Sequence, residues 1–195
     1  MKSLWCAIII HVGIVNAATG ITGLGVVLSA MAMGAAHIIA VARDTTRLES
    51  LRKIAPQRIS TISAKTESIK ERVAELTEGN GASVLVDVTP GGIQTTVDCL
   101  YSLERGGRVA FVGNNPEMLE IPYLYLMLRS IEFTSCHGRN YRDVHYLAEL
   151  CRHGILDVSP IRTKFFKLEQ VNEALDWIEK RESGDLPVWP MMRAD

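Results

Sequence analysis

Neither sign of charge dominates this chain: 21 lysines and arginines stand against 22 aspartates and glutamates, a formal net charge of −1 at pH 7. Without a basic field to neutralise phosphate backbones, nucleic-acid binding is excluded as the main role. Cysteine is scarce. The four at positions 6, 99, 136 and 151 form no CxxC or other zinc spacing and no disulfide framework, so a reduced, cytoplasmic location is expected. Long apolar runs are missing too. The densest, 23–42, is broken by three glycines and a histidine, and nothing supplies the ~20 apolar residues of a membrane span. Fifteen glycines and seven prolines are too few for a low-complexity chain, and no internal repeat occurs. The first seventeen residues loosely copy a secretory signal ending at Val15-Asn16-Ala17. His11 interrupts that stretch, only Lys2 precedes it, and Ile14-Val15-Asn16 is needed as a strand.

What is present is a repeating alternation. Of the 195 residues, 47% are hydrophobic and 22% charged, ordinary usage for a globular chain able to bury a sizeable core. Short β-branched runs at 8–16, 37–42, 58–62, 83–88, 108–112 and 131–135 read as strands. Helical periods at 23–33, 44–54, 66–78, 93–104 and 141–153 separate most of them. The clearest helix is 66–78, where Ile69, Val73 and Leu76 repeat on one face and Gly79 supplies the stop. Strands alternating with helices call for a parallel sheet covered on both faces, and right-handed crossovers make this an α/β, doubly wound six-stranded sheet of the Rossmann type. This domain is expected to span 8–155. From 156 to 195 the pattern changes to an extended segment, 159–166, and an amphipathic helix, 168–181, with Val171, Leu175 and Ile178 on one stripe. The closing Leu186-Pro187-Val188-Trp189-Pro190 suits only an edge or a loop, and 184–195 is expected to pack poorly, with Trp189 exposed.

The most informative stretch runs from Ile14 to Gly23. On a GxGxxG template Ala18 takes the first glycine position, Gly20 the second and Gly23 the third. The first only shapes the turn, the second lets backbone approach a pyrophosphate, and the third lets helix pack closely on strand. The helix that follows aims its free N–H groups and positive dipole end at the phosphates. A strand before and a helix after give the context that the motif requires; without them it would read equally well as a tight turn binding nothing.

The residue closing the second strand is informative by what it is not. Dinucleotide folds that bind a free 2′-hydroxyl place a carboxylate there. Here the strand ends in Ala42, followed by Arg43, with Arg47 one turn further on. Arginine attracts a 2′-phosphate and can bind it in two bonds, which favours NADP(H) over NAD(H). The alternative is that both arginines are solvated charges at a helix start, with Asp44 offsetting the attraction.

These residues resemble a known family. Val15 through Gly25 is similar to the cofactor loop of the medium-chain dehydrogenase/reductase superfamily, in its zinc-type alcohol dehydrogenase and quinone oxidoreductase branches. Val84-Leu85-Val86-Asp87, Gly106-Gly107-Arg108-Val109 with Val112-Gly113, and Phe165 through Leu175 agree in order and spacing. The resemblance implies that Gly20, Ile21, Thr22 and Gly23 surround the pyrophosphate and that Arg43 and Arg47 meet the adenosine 2′-phosphate. It places Thr89 near the adenine or ribose, Val112 and Gly113 beside the nicotinamide ribose, and Ser135 and Gly138 beyond the sixth strand. It also implies an NADP(H)-binding part of an oxidoreductase that moves hydride to or from an alcohol, carbonyl, quinone or enone substrate. Family members carry an N-terminal catalytic domain ahead of this loop, whereas only Met1 to Ala7 precede the first strand here. A non-catalytic nucleotide-binding module, or a truncated and inactive fragment, is therefore the alternative, and no catalytic residue is assigned. Cys136 with His137 and Cys151 with His153 lack a recognised zinc spacing, so no metal is expected. The strand 131–135, at the sheet edge, is expected to pair with its twin in a homodimer. Asp87 reads as a cofactor-edge or turn residue.

Overall fold

The computed structural model describes residues 12–138, 140–180 and 186–193. Six parallel strands, β1 (Val12–Asn16), β2 (His37–Ala42), β3 (Ile59–Ser63), β4 (Ala82–Asp87), β5 (Leu103–Phe111) and β6 (Glu132–Ser135), form one sheet in the order β3-β2-β1-β4-β5-β6. Helices α1 (Ile21–Ala32), α2 (Thr45–Arg52), α3 (Ile69–Leu76), α4 (Ile93–Tyr101), α5 (Tyr123–Arg129) and α6 (Tyr141–Arg152) accompany it. This is the doubly wound architecture expected from the alternation of strands and helices. The beginning of the expected first strand, 8–11, lies outside the described residues.

The strands read as continuous apolar runs because both faces of the sheet are covered. Val15, Ile38 and Ala40 turn to one face and pack with Leu24, Val27 and Leu28 of α1 and Leu48 and Leu51 of α2. Their neighbours Ile14, Ile39 and Val41 turn to the other, against Ile69 and Val73 of α3 and Cys99 and Leu100 of α4. Each of the Val, Leu and Ile side chains removed from water contributes about 1.5–3 kcal/mol. A one-residue slip of any inner strand would exchange these sets, which fixes the register Ile14↔Ile39 and Ile14↔Leu85.

Two features differ from the sequence expectation. The helix after β4 stops at Tyr101 rather than 104, and β5 starts at Leu103 with a register shift before Arg108. The cause is close backbone packing: the Ala82 amide donates to the Ser102 carbonyl, and a Cβ on Gly81 would lie 2.7 Å from the Glu104 nitrogen. The short helix α5, started by Pro122, falls in a stretch that periodicity left unassigned. The tail takes the edge alternative expected of it. β7 (Arg162–Lys167) and β8 (Val188–Arg193) pair in parallel as a separate two-stranded sheet, beside α7 (Val171–Lys180). Every β8 residue sits on an edge, which tolerates Pro190, and Trp189 remains 47% exposed. The expected helix end at Gly184 lies outside the described residues.

Candidate nucleotide site

The C-terminal ends of the sheet strands form one row: Val41 pairs with Asn16, Asn16 with Asp87, Asp87 with Phe111, and Phe111 with Ser135. Chain direction across the sheet reverses between β1 and β4, and the crevice at such a switch point is where doubly wound folds take ligands. From β2 to β6 the row spans about 19 Å, so a ligand meeting both ends must be extended.

The turn from β1 into α1 is built tightly. Ala17 adopts a left-handed conformation with φ 59°. The Ala18 amide donates to the Val41 carbonyl at 3.1 Å, which ties the turn to β2. The first helical bond runs from the Leu24 amide to the Gly20 carbonyl. The amides of Ile21, Thr22 and Gly23 therefore have no partner within α1, and Gly20 supplies no side-chain cap. Gly23 is required by the fold itself. A Cβ there would lie 2.5 Å from the Ala17 carbonyl oxygen and 2.6 Å from the Ala18 Cα. Gly20 is different: it is exposed, its φ of −80° suits any residue, and a Cβ would meet only the Ala17 oxygen, at 3.7 Å. Nothing in the protein demands a glycine at that position.

Beneath the turn lies a buried polar cluster. Asn16 Nδ2 donates to Asp87 Oδ1 at 2.9 Å and approaches Thr96 Oγ1 at 3.3 Å, while its Oδ1 accepts the Ala17 amide at 3.0 Å. Thr96 Oγ1 donates to Asp87 Oδ2 at 2.9 Å, and the Thr89 amide donates to Asp87 Oδ1 at 3.2 Å. Burial raises the Asp87 pKa, and the three donated hydrogen bonds work against that rise. The Asp87 carbonyl also accepts the amides of Val112 and Gly113, both at 2.9 Å. Gly113 fits so closely against the segment that follows β4 that a Cβ would collide with the Thr89 backbone.

The remaining expected positions are placed as follows. Arg43 is exposed, one residue beyond β2. Arg47 lies largely covered in the first turn of α2, its Nε 3.4 Å from Asp44, whose other oxygen caps the helix through the Arg47 amide. Thr89 is buried, and its hydroxyl donates to the Gly91 carbonyl at 2.7 Å, so backbone is what it offers to the crevice. Val112 and Gly113 are half-buried at the end of β5; Ser135 closes β6, and Gly138 follows it in an exposed turn with φ 67°. The C-terminal edge of the sheet thus carries Gly20–Gly23, Thr89, Val112 and Gly113, with Arg43 and Arg47 toward the β2 side and Ser135 and Gly138 toward the β6 side.

Sequence reasoning missed Asn16, Thr96 and Glu117. Asn16 carried a faint signal as a polar residue closing an apolar strand. Thr96 had none, since its partners lie 80 and nine positions away. Glu117, in the loop after β5, accepts the amides of Gly92 at 2.6 Å and Ile93 at 3.1 Å and so caps α4. Among the described residues no three His, Cys, Asp or Glu side chains converge as metal ligands, so these residues do not fit a zinc ion. A crevice of about 180 Å³ lies at the other end of α1, lined by Met31, Ile54, Arg58 and Pro160. Arg58 is occupied there with the carbonyls of Met31 and Ala35, so this crevice is a helix-end packing feature.

Six parallel strands in the order β3-β2-β1-β4-β5-β6, with a glycine turn running from β1 into the N-terminus of α1, define a Rossmann-type domain. Residues 22–152 match the zinc-binding dehydrogenase family, and the chain belongs to it. Among its relatives is L-threonine 3-dehydrogenase of Salmonella paratyphi B, 28% identical over 171 residues. That match covers 85% of this chain and 48% of the relative. An alcohol dehydrogenase from Thermus sp. ATN1 superposes with a TM-score of 0.81 at 24% identity, over 94% of this chain and 52% of that one. A quinone oxidoreductase from Pseudomonas syringae pv. Tomato superposes at 0.72 with 20% identity, over 94% and 57%. The chain thus spans about half the length of the relatives that it matches. No helix among the described residues is long and apolar enough to cross a membrane.

Proposed function

We propose that this chain is the NADP(H)-binding part of a zinc-type alcohol dehydrogenase-like oxidoreductase acting on an alcohol, carbonyl, quinone or enone. The observation that carries the reading is the contrast between Gly23 and Gly20. The first is demanded by helix-on-strand packing, whereas the second is explained by a ligand that approaches the backbone where a Cβ would stand. An anionic pyrophosphate suits that place, since the amides of Ile21, Thr22 and Gly23 face no partner within the helix and the helix dipole favours negative charge. Arg43 accounts for the preference for a 2′-phosphate, and Arg47, held by Asp44, adds positive charge beside it.

When bound, the nicotinamide supplies the hydride chemistry. The protein's share would be to hold and orient it: the turn at Gly20–Gly23 would hold the pyrophosphate, and Gly113, which lets the end of β5 pack on the Thr89 backbone, would flank the nicotinamide ribose with Val112. No catalytic residue is assigned. The edge strand β6, hydrogen-bonded only to β5 in the sheet, continues into a second copy in a homodimer.

Titration with NADPH and NADH by calorimetry, followed by NADPH consumption with small aldehydes, ketones and quinones, tests the reading. NADPH binding at least tenfold tighter than NADH supports it. Binding without consumption assigns a nucleotide-binding module, and no binding by folded protein refutes the nucleotide site.

A further inference from the structure

The phosphate turn contains a conformation that it does not explain locally. Ala17 sits at φ 59°, which an L-alanine rarely adopts unaided. Its amide is held by Asn16 Oδ1, so the orientation of one carboxamide decides where this N–H points. That orientation is dictated from beneath. Asp87 Oδ1 receives N–H groups from Asn16 and from the Thr89 backbone, and Oδ2 receives the Thr96 hydroxyl. With its only hydrogen given to Asp87, Thr96 Oγ1 is left to accept from Asn16 Nδ2. Turning the carboxamide over would set its oxygen against the Asp87 carboxylate and its NH2 against the Ala17 N–H. Three conflicts would replace three bonds, with every member buried or half-buried.

We infer that Asp87 and Thr96 are positioning residues for the phosphate turn, acting through Asn16 on the Ala17 amide. The cluster thus sets the aim of the turn from the far side of the sheet end, without touching the ligand. The same Asp87 carries the amides of Val112 and Gly113 on its carbonyl, so one residue ties the phosphate turn to the β5 end of the crevice. The consequence for cofactor binding rests on the reading of the site proposed above. The consequence for the Ala17 amide does not.

The test compares Thr96→Val, which keeps the shape and removes the hydroxyl, with Thr96→Ser, which keeps the hydroxyl. Hydrogen exchange of the Ala17 amide is followed by NMR relative to the core Ile39 amide, and NADPH affinity by calorimetry. In Thr96→Val the Ala17 amide is expected to exchange at least tenfold faster relative to Ile39, with the NADPH Kd raised about tenfold, the equivalent of one hydrogen bond. Thr96→Ser is expected to behave as the wild type in both. Should Thr96→Val fail to fold, Thr96→Ala is the second variant: it removes the same hydroxyl without placing a methyl group where that hydroxyl stood, so the same changes are expected. Unchanged Ala17 exchange in a folded variant overturns the inference, as does equal acceleration in Thr96→Ser and Thr96→Val. If wild-type protein binds no NADPH, the nucleotide reading falls alone, and the exchange comparison still decides whether the cluster holds the turn.

Discussion

Replacing Gly20 by alanine separates what the fold needs from what the ligand needs. A Cβ at this position meets one atom, the Ala17 oxygen at 3.7 Å, and φ −80° with ψ 167° is open to alanine. Stability should therefore hold within about 0.5 kcal/mol, or rise by about 0.4–1 kcal/mol because alanine narrows the unfolded ensemble. Cofactor affinity should fall sharply, since the new methyl group stands between the backbone and the pyrophosphate. Losing one hydrogen bond to a charged group costs about 1.5–3 kcal/mol, which raises the NADPH Kd roughly 10- to 150-fold. Gly23→Ala should do the reverse in origin: its Cβ would sit 2.5 Å from the Ala17 oxygen, well inside contact distance. Overpacking of this kind costs about 1–3 kcal/mol, or about 2–4 °C in melting temperature for each kcal/mol. Denaturant melts without ligand and calorimetric titrations with NADPH measure the two effects separately. A Gly20→Ala protein that is stable and binds NADPH as tightly as the wild type would refute the argument that a ligand explains this glycine.

Arg43→Ala should lower the NADPH-to-NADH affinity ratio at least tenfold with NADH affinity unchanged, read from paired titrations. Ala42→Asp should move the preference in the same direction, but Ala42 is only 6% exposed and packs in the core, so a stability loss should accompany it. The amides of Gly92 and Ile93 hold the Glu117 pKa below the usual glutamate value. A depressed pKa stabilises above the unfolded value, near 4.5, and that contribution is lost as pH falls through the folded value. The melting-temperature advantage of wild type over Glu117→Gln should therefore be present at pH 6–7 and shrink below roughly pH 4.5; an advantage independent of pH would contradict the capping role. Light scattering should give twice the 21.5 kDa chain mass, and a charged residue at Phe133, which stacks on Phe111 at 5.7 Å in the edge strand, should shift this toward the monomer.

Much of this was legible in sequence order because it depends on local chemistry. Continuous β-branched runs located the six strands, since burial on both faces of a sheet forces apolar residues into them, and period-3.6 patterns located most helices. Gly20 and Gly23 marked the turn, and Gly23 lies against the strand as the third position of the motif requires. The edge position of the tail was legible from its two prolines, but the pairing of β8 with β7 was not, because a two-stranded sheet asks little of its sequence. The helix α5 escaped for a similar reason: its seven residues hold too few turns for a period to emerge.

The sequence by itself determined the sheet, the turn and the absence of a carboxylate at the end of β2, each a property of residues near one another along the chain. Only the tertiary structure decided that packing requires Gly23 but not Gly20, because that depends on which atoms stand where a Cβ would be. It alone joined Asn16, Asp87 and Thr96 into one cluster, and seated Glu117 on α4. Hydrogen-bond partners 71 or 80 residues apart leave no spacing to read, and their direction is settled by a backbone N–H, that of Thr89, which every sequence would carry.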